Sequence, residues 1–200
     1  MKRHGDRMGS RQMRRIGLLV LLPVLSTMPW PQATGPFSRE PMLGAVRLFY
    51  APDQDLSRVD IDLVDSAKRE IDLAAYVLTD KTFTEALIRA AKRGVRVRLY
   101  LHPEQPGFRR QAAQGPFWAL MHTPGVSVRF KGDGELMHLK SYQVDRRQLR
   151  SGSANFSFTG MRRQDNDLLV IDSVDAAGHF VSFFNALWAR PDNETIQASR

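Results

Sequence analysis

Between residues 45 and 101 the apolar residues keep changing their period, and this alternation restricts the fold more than any other feature of the chain. Residues 45–50 (AVRLFY) repeat every second position, as a strand does. Leu56, Val59, Leu63, Val64 and Ala67 then fall on one face of a helix, with acids and bases opposite. Residues 71–78 (IDLAAYVL) are apolar enough for a central strand. Phe83, Ala86, Leu87, Ala90 and Ala91 make a second helical stripe, capped by Thr79 or Asp80 and stopped by Gly94. Residues 95–101 (VRVRLYL) return to strict period two. A strand–helix–strand–helix–strand order demands an α/β sheet with crossover helices.

The second half is less regular. A helix is expected around residues 117–122 and a strand at 126–130, followed by a flexible turn over 131–135. Residues 137–144 and 149–153 read as two strands joined by Asp145-Arg146-Arg147-Gln148. A buried strand is expected at 168–171. Ser173 or Asp175 opens a last helix whose Phe180, Phe183, Phe184, Leu187 and Trp188 form a large apolar stripe, the mark of core or subunit interface.

Two hundred residues are one domain's worth of chain, and an apolar fraction of 42% is enough for a core. Cysteine is absent, which excludes thiolate metal sites, thiol catalysis and disulfides. Residues 1–33 are organised as an export signal: a basic segment to Arg15, an apolar run over 16–25, and Ala33 as the cleavage residue. Export to the periplasm or medium is expected; the alternative is an uncleaved membrane anchor. That segment holds six Lys and Arg against one acid, leaving 23 basic and 20 acidic residues in the remainder. The formal charge of +8 therefore falls to +3 and argues only weakly for a polyanionic partner. A linker follows over 34–44, then the domain over 45–190 and a C-terminal tail over 191–200.

The chemistry is concentrated in one stretch. His138 and Lys140 are two apart, so on a strand they share a face. Asp145 follows, then Gly152-Ser153-Ala154-Asn155, with Ser153 and Asn155 again two apart. Hairpin pairing would bring both sets together across the ladder. Imidazole is a nucleophile or proton shuttle near neutral pH. An ammonium, a hydroxyl and a carboxamide make a cradle for a phosphate. Splitting phosphodiester hydrolysis into two displacements needs an acid for the leaving oxygen and a base for water, and one His cannot supply both while attacking phosphorus. No Asp/Glu/His cluster has metal-ligand spacing, so an activity without metal or other cofactor is expected.

His138-x-Lys140-x4-Asp145-x6-Gly152-Ser153, with Asn155 two residues after the Ser, resembles the signature of the phospholipase D superfamily. The short length and single motif copy are most similar to its small bacterial endonucleases and their mitochondrial relatives. The resemblance covers residues 45–190, including Asp65-Ser66-Ala67-Lys68, Ala74-Ala75-Tyr76 and Lys92-Arg93-Gly94-Val95. It implies one phospholipase D-like domain, a mixed β-sheet flanked by helices on both faces. It further implies His138 as nucleophile, Lys140, Ser153 and Asn155 on the phosphate, and Asp145 as a structural member bonding backbone. A Glu followed by Asn orients the catalytic His in the family; the matching pair here is Asp165-Asn166, with Asp one methylene shorter. His4, His102, His122 and His179 begin no second motif, so a homodimer is needed to bring two copies of His138 to one site.

The implied substrates are nucleic acid, DNA or RNA, or alternatively anionic phosphatidyl lipids such as cardiolipin; a binding module without turnover would not need the nucleophile. Brevity favours nucleic acid. Phe117, Trp118, Leu120 and Met121 would serve lipid insertion if exposed. Arg109, Arg110, Arg146, Arg147, Arg162 and Arg163 either line a polyanion groove or are simply solvated. His102, at a strand end before Pro103, is expected to be structural.

Overall fold

The strongly periodic segments all form the elements their spacing predicts, and they assemble around one sheet. The structure, a computed structural model, describes residues 44–103, 115–132 and 134–196. The export segment, all but the last residue of the linker, and Arg109 and Arg110 lie outside the described residues. In chain order the elements are β1 (Ala45–Ala51), α1 (Leu56–Ser66), β2 (Glu70–Ala75), α2 (Lys81–Lys92), β3 (Arg96–Leu101), α3 (Pro116–Met121) and β4 (Val126–Phe130). Then come β5 (Lys140–Val144), β6 (Gln148–Gly152), α4 (Phe158–Arg162), β7 (Asn166–Asp172), α5 (Val174–Trp188) and β8 (Glu194–Ile196).

The sheet has eight strands in the order β1-β7-β6-β5-β2-β3-β4-β8. β2, β3 and β4 are parallel, joined by crossovers that contain α2 and α3, while the remaining neighbours pair antiparallel. The sheet is therefore mixed. β1 and β2 point the same way but are separated by β7, β6 and β5, which the second half of the chain inserts between them.

Alternation along the central strands builds a core on each face. Ile71, Leu73 and Ala75 of β2 and Val97, Leu99 and Leu101 of β3 join the larger core under α1, α2 and α3. Ala74 and Tyr100 point the other way, to Phe180, Phe184 and Leu187 of α5. Asp72, inside the apolar run of β2, is wholly buried and accepts from Arg98 Nε (2.7 Å) and Gln143 Nε2 (3.0 Å). Helix starts follow their caps: Asp80 accepts from Phe83 N at the head of α2, and Ser173 from Ala176 N at the head of α5.

The fold decides the place of β1, and three local readings are corrected. β1 is an edge strand with Val46, Leu48 and Tyr50 about half exposed, because α5 covers β2, β5 and β6 but does not reach it. β8, a three-residue strand on β4, lies in the segment read as a tail. β5 begins at Lys140, so His138 stands just outside the strand. Finally, Phe117, Leu120 and Met121 are buried against α2, leaving Trp118 as the one large apolar side chain of that segment that is exposed, its ring stacked 4.1 Å from His122.

Candidate active site

Because β5 runs antiparallel to β2 and β6, and β7 antiparallel to β6, β2 and β6 end where β5 and β7 begin. One end of the sheet thus collects Tyr76, His138, Lys140, Ser153, Asn155, Asn166 and Asp167. Asp145, Arg146 and Arg147 sit at the opposite end.

His138 and Lys140 meet on Tyr76. The His138 ring lies 4.6 Å from the Tyr76 ring, and the Lys140 Nζ 5.1 Å from the centroid of the same ring. The Lys140 ammonium also donates to the His138 carbonyl at 2.8 Å. Tyr76 is held in turn by its own N–H, which donates to Leu139 O at 2.8 Å, and by the buried His102, 5.1 Å away ring to ring. His138 is exposed, while Lys140 is 7% exposed. That burial, reinforced by the positive charge of Arg150, holds the Lys140 ammonium below the ordinary lysine range.

Ser153 and Asn155 arrive by a different route from the one their spacing suggests. The β5–β6 ladder ends at Tyr142–Arg150, short of the motif residues, so the two sets do not face each other across it. Gly152, at φ 142°, turns the chain away; a Cβ there would sit 2.5 Å from the Asp167 carbonyl. The segment then passes the end of β5 and bonds the continuation of β2: Phe156 N–H donates to Val77 O (3.2 Å), while Thr79 and Asp80 N–H donate to Phe156 O (2.8 and 2.9 Å). The site is closed by this crossing, not by strand pairing.

Ser153 is tied to the start of β7. Its N–H donates to the Asp167 carboxylate (3.0 Å), its hydroxyl donates to Asn166 Oδ1 (3.0 Å), and Asp167 N–H donates to the hydroxyl oxygen (2.9 Å). The bond from Ser153 holds the Asp167 carboxyl below its ordinary range. Asn166 Nδ2 donates to Gly160 O, which fixes the amide so that its oxygen faces Ser153. Asn155 Oδ1 is buried without a hydrogen-bond partner among the described residues.

Behind the site lies a pair that the motif does not contain. Arg150 and Asp60 have side chains wholly out of solvent and meet as a fork, Nε to Oδ1 and Nη2 to Oδ2, both at 3.0 Å. Arg150 Nη1 donates to Lys140 O at 2.7 Å and to Ala154 O at 3.3 Å. Only half a signal existed: Asp60 lies on the α1 stripe between Leu56 and Leu63, whereas the same-face neighbours of Arg150 on β6, Gln148 and Gly152, do not mark it as inward.

Asp145 is spent on backbone. Its carboxylate accepts from the N–H groups of Lys68, Arg69 and Glu70 at 2.8–2.9 Å. Asp165 is exposed, and no hydrogen bond or ion pair among the described residues joins it to His138; the carboxylate bonded to the motif belongs to Asp167. Arg146 pairs with Glu70 and Arg162 with Asp55 and Asp80, while Arg163 is exposed beside Phe158.

The chain is 25% identical to a mitochondrial cardiolipin hydrolase of Xenopus laevis over 160 residues, covering 78% of this chain and 73% of that one. It is also 25% identical to a phospholipase D of Rickettsia bellii over 134 residues, covering 66% and 63%. Among solved structures, Nuc of Salmonella typhimurium, a phospholipase D family member, superposes with a TM-score of 0.66 at 22% identity, covering 76% of this chain and 98% of that one. NucT of Helicobacter pylori gives 0.64 at 19%, covering 76% and 99%. A family model described as "Cardiolipin synthase, PLD-like domain" matches residues 61–188, more than half the chain and all of the site, and by that match the protein belongs to the phospholipase D superfamily of phosphodiester hydrolases.

Proposed function

We propose that the protein hydrolyses nucleic acid as a non-specific, metal-independent endonuclease, through a phosphohistidine intermediate, in a site shared by two subunits. The observation that carries this reading is the gathering of His138, Lys140, Ser153 and Asn155 at one sheet end, with the imidazole exposed and the ammonium buried behind it. A His138 ring nitrogen bonds phosphorus as the bond to the leaving oxygen breaks. The leaving oxygen takes a proton from the partner subunit's His138. Water then attacks the phosphohistidine, gives a proton to that same imidazole, and the P–N bond breaks. Lys140 and Asn155 hold the non-bridging oxygens. Ser153 joins them once its hydroxyl turns from Asn166.

Nucleic acid is favoured because the domain superposes on almost the whole of Nuc and NucT, and because Phe117, Leu120 and Met121, the residues that would serve lipid insertion, are buried. One observation favours phosphatidyl lipid as a second reading. A cleft beside His138 is lined by Leu136, Met137, Leu139, Phe183 and Leu187, with Lys131 and Arg190 as cations, a surface suited to an acyl chain under an anionic head. Export by the segment at residues 1–33 would place either substrate outside the cytoplasm.

A side-by-side assay on DNA, RNA and cardiolipin vesicles in excess chelator, with His138→Asn as blank, tests both. Nucleic acid is expected to be cut and lipid spared, with no turnover and no phosphoenzyme in the variant. Cleavage of lipid alone overturns the substrate, complete loss in chelator overturns the metal-free mechanism, and an active His138→Asn overturns the nucleophile.

A further inference from the structure

We propose that the buried Asp60–Arg150 pair is a positioning device for the phosphate site, fixing the separation between Lys140 and the 153–155 loop. The proposal rests on the phosphodiesterase reading above, and adds residues outside the motif to it.

Sheet register explains why such a device is needed. Continuing the β5–β6 pairing from Tyr142–Arg150 would set Lys140 opposite Gly152, but the ladder stops before that point. Leu139 O is turned toward β2, where Tyr76 N–H donates to it, so the next carbonyl, that of Lys140, is turned toward β6. The ladder does not extend to this carbonyl. Arg150 Nη1 fills the gap at 2.7 Å, and the same guanidinium reaches Ala154 O from Nη1 and Nη2 at 3.3 Å. The mouth left open by the interrupted hairpin is where the phosphate residues converge.

The remaining contacts keep the guanidinium in place. Asp60 holds its other edge, the Tyr142 hydroxyl donates to Asp60 Oδ1 at 2.8 Å, and the Phe156 ring lies 4.5 Å from the guanidinium carbon. All five guanidinium N–H groups are thus directed at acceptors. A wholly buried ion pair is seldom better for stability than two apolar side chains of similar volume. An apolar pair would tie β6 to α1 equally well. It would not donate to the carbonyls of Lys140 and Ala154, one carried by the phosphate lysine and the other lying between the two polar residues of the loop.

The pair also acts through its charge. The groups facing the Lys140 ammonium are His138 and Tyr76 at the mouth and Arg150 behind, with Asp60 and Tyr142 beyond. Burial is the larger cause of the depressed Lys140 value and Arg150 the second. A depressed lysine loses its proton at lower pH, so activity that needs the ammonium falls as pH rises through that value. Removing Arg150 therefore moves the alkaline limb upward.

The test uses the full chain, with bis(p-nitrophenyl) phosphate as substrate and inorganic phosphate as ligand. Asp60→Leu/Arg150→Met is expected to melt near the wild type while kcat drops about 100-fold, the scale of a small misplacement of reacting groups. Phosphate binding weakens several-fold and the alkaline limb shifts up. A folded double variant with wild-type kcat and phosphate affinity overturns the proposal and leaves the pair a purely structural role. Should the double variant not fold, Arg150→Lys, which keeps the charge but loses the fork, is expected to lower kcat and phosphate affinity in the same way with the alkaline limb unmoved, and wild-type kcat and affinity again overturn the proposal. A wild type that binds phosphate but hydrolyses nothing overturns the hydrolase reading alone, and phosphate affinity then decides the positioning role. A wild type that does neither overturns both.

Discussion

His138 and Lys140 are two residues apart, yet one is exposed and the other almost sealed. The difference suits the roles proposed for them, a nucleophile that must reach its substrate and a cation whose field is strongest away from water. The carboxylates divide in a similar way. Asp165 is exposed and unbonded to the motif, whereas Asp167, the second residue of β7, holds the Ser153 amide. Asp165→Asn is therefore expected to leave kcat within about threefold, while Asp167→Asn lowers it about tenfold, the scale of losing one charged hydrogen bond; steady-state kinetics on one substrate compare them. The Asp167 carboxyl lies below its ordinary range, so its anchoring of Ser153 is present above the ordinary Asp value and is lost as pH falls through the lower one. At this scale the motif residues were legible because their types and spacing are chemically unusual. The Asp60–Arg150 pair was not, since a charge on an apolar face shows its meaning only when the opposite charge, ninety residues away, meets it.

The β5–β6 hairpin has two ends with separate duties. The ladder closes at Val144–Gln148, leaving residues 145–147 in the turn, and Asp145 and Arg146 adopt φ 53° and 56° there, the left-handed region that Asp tolerates better than most residues. Asp145 then ties the turn to the start of β2 through three backbone amides. Asp145→Ala strands those amides and is expected to cost about 2 kcal/mol, read by denaturant unfolding. Activity of the folded variant should stay near wild type, because the change lies at the far end of the sheet. A wild-type stability would show the bonds to be dispensable. Elements with long periodic faces, α1, α2 and α5, were readable because burial on one side leaves its period in the residues. β8 was not: three residues on an edge bury too little to leave a pattern.

At the scale of the molecule, the motif supplies one His where the proposed mechanism uses two. If two subunits share a site, co-expressing wild-type and His138→Asn chains in equal amounts should yield about one quarter of wild-type activity per chain, against about one half for independent sites. Activity assay of the mixed population separates the two, and a value of one half would sink the shared site.

The sequence by itself determined the residue types of the site, the α/β alternation of the first half and the helices that cover the sheet, because each rests on local spacing or on chemistry carried by single side chains. Tertiary structure alone decided the strand order, which inserts β7, β6 and β5 between β1 and β2. It also decided where the hairpin ladder stops, and therefore that the loop after Gly152 crosses the end of β5. Those are matters of long-range register, and register depends on which faces find each other, a choice that no window of residues records.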